Sequence, residues 1–207
     1  MLSKKQAIEV LNAALATGGD YAEIYIEDTL SHVYSIENGK VDAATVGQTL
    51  GAGIRILKKF QSVYGYTNDV SKAGLLKLAT SLSNSFKGTQ ELVITSLKTK
   101  NVKNRHPHLR PHAEVSADEK IAYLKKGDDA MRAVSDKIVQ TKTSINHYVK
   151  NVDLYTSKGF YFKDSKERGR AYFMCVAFDQ GKMETGFSGP GASAGFEYFI
   201  DNEMGKR

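Results

Sequence analysis

The sequence holds one cysteine, Cys175, in 207 residues, so no disulfide can close within the chain and nothing points to an oxidising compartment. No run approaches the ~18 apolar residues that a membrane span needs. The N-terminal Met-Leu-Ser-Lys-Lys-Gln leads into an amphipathic stretch rather than an apolar signal core. A cytoplasmic protein with no membrane partner is expected. Glycine-rich residues 188–195 lack the Gly-Lys-Ser/Thr and Gly-x-Gly-x-x-Gly spacings that cradle phosphates and dinucleotides. None of the five histidines (His32, His106, His108, His112, His147) is followed by glutamate. The net charge is +6, yet the basic residues form no single stripe. Their one dense run, 98–105, reads as a solvated tether, so nucleic acid is not an expected partner. What is present is ordinary for a globular protein: 41% apolar and 25% charged residues, in a chain long enough for one large domain or two small ones.

The clearest local signal is a hairpin. Residues 30–37 are rich in types that suit a pleated, half-buried surface, and Asn38-Gly39 comes directly after them. That pair supplies the two positive φ angles of a type I′ turn, so residues 40–46 should pair back. Gly47, Gly51 and Gly53 punctuate the next stretch of chain, and 54–57 with 62–66 read as a second hairpin. Helices flank these strands. Ser3 with Gln6 forms a capping box before a stripe of Ala7, Ile8, Leu11, Ala14 and Leu15, ended by Gly18-Gly19. Asn68, Asp69 or Ser71 caps a second stripe of Leu75, Leu78, Ala79, Leu82 and Phe86.

Residues 95–115 carry Pro107 and Pro111, many charges and no periodicity, and read as an exposed connection. Ser116 with Glu119 starts a third helix whose weaker face is Ile121, Leu124, Ala130, Met131, Ala133 and Val134. Beyond 138 the turn signals recur at short spacing, as in an antiparallel meander, with a turn expected within 146–151 and others at 157–159 and 179–181. Thr141, Thr143, Ser144, Asn146 and His147 suggest one wet face. Cys175 lies in the most convincing strand, 170–178, as a buried structural thiol with no histidine pattern to activate it. The fold class is α+β: two consecutive units, each an antiparallel sheet packed with one or two helices. They should span 1–95 and 116–207, joined by a linker at 96–115.

Taken in order, 20–27, Glu37-Asn38-Gly39, Gly51-Ala52-Gly53-Ile54-Arg55 and 64–69 resemble the start of the TldD/PmbA family. Gly186-Phe187-Ser188-Gly189-Pro190-Gly191 and Gly195-Phe196-Glu197-Tyr198-Phe199 resemble the Gly-rich segment that precedes the catalytic part of TldD-type members. The resemblance implies a cytoplasmic zinc metallopeptidase that pairs with a PmbA/TldE-type subunit or self-associates and cuts unstructured or modified peptides. It also implies a His-Glu-x-x-x-His zinc motif, which this chain lacks. The expectation is therefore the non-catalytic N-terminal and central portion of such an enzyme, inactive alone and needing no cofactor of its own. A peptide- or protein-binding adaptor is the alternative.

Two constellations invite chemistry. His106, His108 and His112 could ligate zinc, though Pro107 and Pro111 resist the helix that zincin spacing requires, and a linker that merely contains histidines is the simpler reading. Ser188, Gly189 and Gly191 are small enough to let a substrate backbone approach closely, so they are candidates for the substrate path. The carboxylates Glu23, Glu27, Asp28 and Glu37 lie on half-exposed strands and are assigned no catalytic role.

Overall fold

The structure is a computed structural model that describes residues 2–103 and 105–201. In chain order the elements are α1 (Lys4–Leu15), β1 (Tyr21–Glu37), β2 (Lys40–Lys58), β3 (Gln61–Thr67), α2 (Lys72–Ser83), β4 (Lys98–Asn101), a 3-10 turn (His112–Glu114), α3 (Ala117–Arg132), β5 (Ile138–Thr156), β6 (Phe160–Asp179), β7 (Lys182–Ser188), β8 (Gly191–Ala192) and α4 (Glu197–Asp201). Hydrogen-bonded neighbours run β3-β2-β1-β5-β6-β4, with β7 and β8 also pairing on β6. The class is α+β, as the sequence implies. One pairing departs from the antiparallel expectation: β4 runs parallel to β6, with Lys98 opposite Phe160 and Asn101 opposite Lys163. The segment expected to be a solvated tether thus contributes an edge strand, whose lysines blunt an otherwise open edge.

The described residues form two compact units. Residues up to 29, 49–103 and 150–165 make the first; 30–48, 105–149 and 166–201 make the second. This division is not the consecutive one expected at 1–95 and 116–207. The strands β1, β2, β5 and β6 each give part of their length to each unit. Glycines 47, 51 and 53 do not break β2, and the turn expected within 146–151 is absent, because β5 is continuous. Backbone ladders need no side chain, so glycine or polar residues inside a strand weaken it without ending it.

In the first unit, Ser3 Oγ accepts from the Gln6 amide at 3.3 Å while the Gln6 carboxamide oxygen accepts from the Ser3 amide at 2.9 Å. Ser71, among the three cap candidates, accepts from the Gly74 amide at 3.1 Å. Helices α1 and α2 then bury Leu11, Leu15 and Leu75 against Ile24, Ile54 and Ile56. Each such side chain removed from water contributes about 1.5–3 kcal/mol.

In the second unit, Asn38 (φ 50°) and Gly39 (φ 76°) form the expected two-residue turn. The Asn38 carboxamide oxygen also accepts from the Thr141 amide and an Arg132 guanidinium, both at 3.1 Å. Ser116 caps α3 as expected. Leu124 packs with Ile36, Ile145, Phe196 and Phe199. The helix face is turned from the expected one. Ala130, Ala133 and Val134 are exposed, while Lys120 (3% exposed) and Asp128 (1%) are buried. Both charges are satisfied. Lys120 Nζ donates to the His112 carbonyl at 2.8 Å. Asp128 accepts from the Thr141 hydroxyl at 2.5 Å and from Arg132 Nε at 3.1 Å.

Candidate functional site

Strand alternation builds two unlike faces in the second unit. On β5, Thr141, Thr143, Ile145 and His147 point into the core; on β6, Glu167, Gly169, Ala171 and Phe173 do the same. The wet face expected from Thr141, Thr143 and His147 is therefore wrong for those three. With a period of two they share the face of Ile145, whereas Ser144 and Asn146 take the other.

That other face carries a groove of about 430 Å³, lined by Asn146 and Tyr148 from β5, Arg168, Gly169 and Arg170 from β6, and Gly189 with Gly191. The chain between β7 and β8 reaches it as a strap. Ser188 ends β7 opposite Phe173, the Pro190 carbonyl accepts from the Ala171 amide at 2.9 Å, and Gly191 pairs with Arg170. A Cβ at Gly189 would stand 3.0 Å from Arg170 Nη2, and one at Gly191 would stand 3.0 Å from the Gly169 carbonyl oxygen. These glycines permit the close approach. Two of the substrate-path candidates thus line a groove, with Ser188 at its margin. The sequence reading missed Asn146, Tyr148, Arg168 and Arg170. Its available signal was Arg-Gly-Arg within a strand, which sets two guanidiniums on one face.

The core face holds a stack of imidazoles. His32 and His147 lie with ring centroids 4.6 Å apart at 9°, and His147 and His112 repeat the same spacing and angle. Phe196 and Phe199 flank His112, each centred 5.8 Å away. Burial, then the nearby Lys120 charge, then the two neighbouring imidazoles push His147 down to about 3. Burial and Lys120 push His112 down to about 4, partly opposed by Glu197. Burial likewise lowers Lys120, opposed by Glu167 and Glu119. The Glu167 carboxylate accepts from the His112 amide.

These histidines do not fit zinc. A nitrogen lone pair lies in its own ring plane, at ~2.0–2.1 Å from a bound metal. Parallel rings 4.6 Å apart cannot both hold one ion in their planes. Of the sequence candidates, His112 is fully buried in this stack, His108 is half-buried and His106 exposed. The expected exposed connection is thereby corrected at His112, whose ring is core. Among the described residues, no group of three or more His, Cys, Asp or Glu side chains is placed to hold a metal.

The first-sheet carboxylates are engaged in ion pairs and hydrogen bonds. Glu23 meets Arg55 at 2.9 Å and accepts from the Tyr21 phenol at 2.7 Å. Glu27 meets Lys150 at 3.0 Å; burial raises its pKa, but hydrogen bonds from Lys150, Thr29 and Tyr25 outweigh this and hold it low. Glu37 pairs with Lys142 at 3.3 Å. Cys175 is a free, half-buried thiol rather than a fully buried one.

Fold and groove together define an α+β protein that presents an arginine- and glycine-lined face built on a strand pair. The family model described as PmbA/TldA metallopeptidase domain 1 matches residues 22–85, and the one described as the central domain matches 110–207. The chain belongs to the PmbA/TldD family. The metalloprotease TldD homolog of Haemophilus influenzae is 21% identical over 203 residues, covering 97% of this chain and 42% of that protein. The homolog from Buchnera aphidicola of Schizaphis graminum is 20% identical, covering 89% and 38%. Among solved structures, a Thermotoga maritima protein described as a candidate modulator of a DNA gyrase superposes with TM-score 0.69 at 17% identity, over 90% of this chain and 42% of that one. TldE from Thermococcus kodakarensis gives 0.60 at 15% identity, over 84% and 40%. The chain spans about two-fifths of the length of these relatives.

Proposed function

We propose that this chain is the scaffold and substrate-receiving portion of a TldD-type metallopeptidase acting on unstructured or modified peptides. The observation that carries this reading is the groove of about 430 Å³ on the open face of β5 and β6, lined in part by Gly189 and Gly191. An extended peptide offers the same amides and carbonyls whatever its side chains, which suits an enzyme of unfolded segments. Zinc, expected for the family, finds no group of fitting donors among the described residues. We assign it, with hydrolysis, to the part of the full-length enzyme that these residues do not represent. Pairing with a PmbA/TldE-type subunit and residence in the cytoplasm complete the proposal. Family membership supports the first. The single cysteine, and the lack among described helices of one long and apolar enough to cross a membrane, accord with the second. The division of labour into segments 1–95 and 116–207 is retained as a proposal about what each sequence segment contributes, alongside the interleaved spatial units.

The test is binding. A fluorescein-labelled unstructured peptide titrated into the 207-residue chain should give a saturable rise in anisotropy. Gly189→Val should weaken it about tenfold, because a branched side chain there would crowd the Arg170 guanidinium and narrow the groove. Equal affinity for chain and variant would remove the groove from the substrate path.

A further inference from the structure

We propose that the groove is an oxyanion site that reads a carboxylate on the peptide, and this rests on the peptide-receiving role proposed above. Arg168 and Arg170 stand two residues apart on β6, so strand geometry places both guanidiniums on the open face. Both are exposed. Among the described residues no carboxylate pairs with either, whereas Arg55 pairs with Glu23, Arg110 with Glu119 and Arg132 with Asp128. The acid next to them in sequence, Glu167, points to the opposite face and is occupied by the His112 amide. Among the described residues, the groove lining contains no acidic side chain.

The remaining lining groups fit the same ligand. The Tyr148 phenol and the Asn146 carboxamide are donors on the neighbouring strand. Glycine at 189 gives the Arg170 guanidinium its place, since a Cβ there would approach Nη2 to 3.0 Å. The planar guanidinium favours a two-point contact with a carboxylate. The glycines are thus part of the recognition as well as of the path. They leave the space that the Arg170 side chain occupies.

A peptide can present a carboxylate at its C-terminus or on an Asp or Glu side chain. Three labelled peptides of one glycine-, alanine- and serine-rich sequence separate the sources: a free acid, its C-terminal amide, and an amide carrying one internal glutamate. Each is titrated by anisotropy into the 207-residue chain at low and at moderate salt. One or both carboxylate peptides should bind about tenfold tighter than the plain amide. That preference should fall to near parity in Arg168→Gln/Arg170→Gln, and Arg170→Lys should recover only part of it. Circular dichroism melts confirm that the variants, altered at exposed positions, remain folded. The arm that gains affinity identifies the source. If all three bind alike and the double variant changes nothing, the oxyanion site is refuted while peptide reception stands. If none of the three binds, both fall.

Discussion

The imidazole stack predicts acid lability within a defined pH window. His112 (0% exposed) and His147 (3%) sit face to face at 4.6 Å, and both ring nitrogens of His147 are buried with no hydrogen-bond partner among the described residues. A proton added there meets the Lys120 charge, apolar surroundings and a second imidazole. In the folded state His112 titrates near 4 and His147 near 3, against 6.5 for an unperturbed histidine. Between pH 6.5 and about 4 the unfolded chain binds protons that the folded core refuses. Stability therefore rises with pH across that window and is lost on acidification. At pH 5 each unfolded histidine gains about 2 kcal/mol from protonation that its folded counterpart forgoes, or about 4 kcal/mol for the pair. Against a typical total of ~5–15 kcal/mol, that is a large share. The burial-lowered pKa of His32 acts in the same direction. Glu27 and Glu197, held low by their hydrogen bonds once burial is outweighed, lose their contribution only below the usual carboxylate range, so the two windows separate. With a urea slope of ~2 kcal/mol/M, the midpoint followed by circular dichroism should fall by about 2 M from pH 8 to pH 5. His147→Phe keeps a flat ring in the stack and removes one titration, so it should halve the fall. A midpoint independent of pH, or a variant with an undiminished pH slope, would refute the reasoning.

Leu11→Ala in the first core should cost about 2–5 kcal/mol, read as a lower urea midpoint at unchanged slope, since Leu11 is fully buried between α1 and its partners. Gly39→Ala should cost about 1 kcal/mol through backbone strain at φ 76°, measured the same way; a neutral result would mean the turn relaxes to another type.

What the sequence made legible was local chemistry. Asn38-Gly39 announced its hairpin because two positive φ angles are needed at adjacent positions and few other pairs provide them. Ser3, Ser71 and Ser116 announced three helix starts because each hydroxyl serves an amide three residues on. The interleaving of the two units was hidden, because it depends on how far each strand continues, and glycine or polar residues inside a strand look like interruptions. The three glycines of β2 and Asn146 to Asn151 on β5 are such cases. Buried charge was hidden for a related reason. Lys120 and Asp128 lie outside the apolar face expected of α3, and their burial depends on the His112 carbonyl and the Thr141 hydroxyl, which come from outside the helix.

The same pleat that misled the reading of Thr141 and His147 accounts for the two roles of this segment. Glu167 and Arg168 are neighbours in sequence, yet one is committed to the core beside His112 and the other to the groove. Gly169 is the hinge of that division. Its lack of a side chain leaves space for the His112 ring on the core side, and along the strand it pairs with Ala192 of β8. A side chain at 169 would collide with His112 and Phe199, so the groove and the acid-sensitive stack share one backbone position. Because the folded stack takes up protons only near pH 4 and below, carboxylate-peptide affinity should hold constant from pH 7.5 to 5.5 while the stability of the chain falls. Affinity that weakens over that range, in a chain still folded by circular dichroism, would show that the stack takes up protons well above pH 4 and would refute this reading.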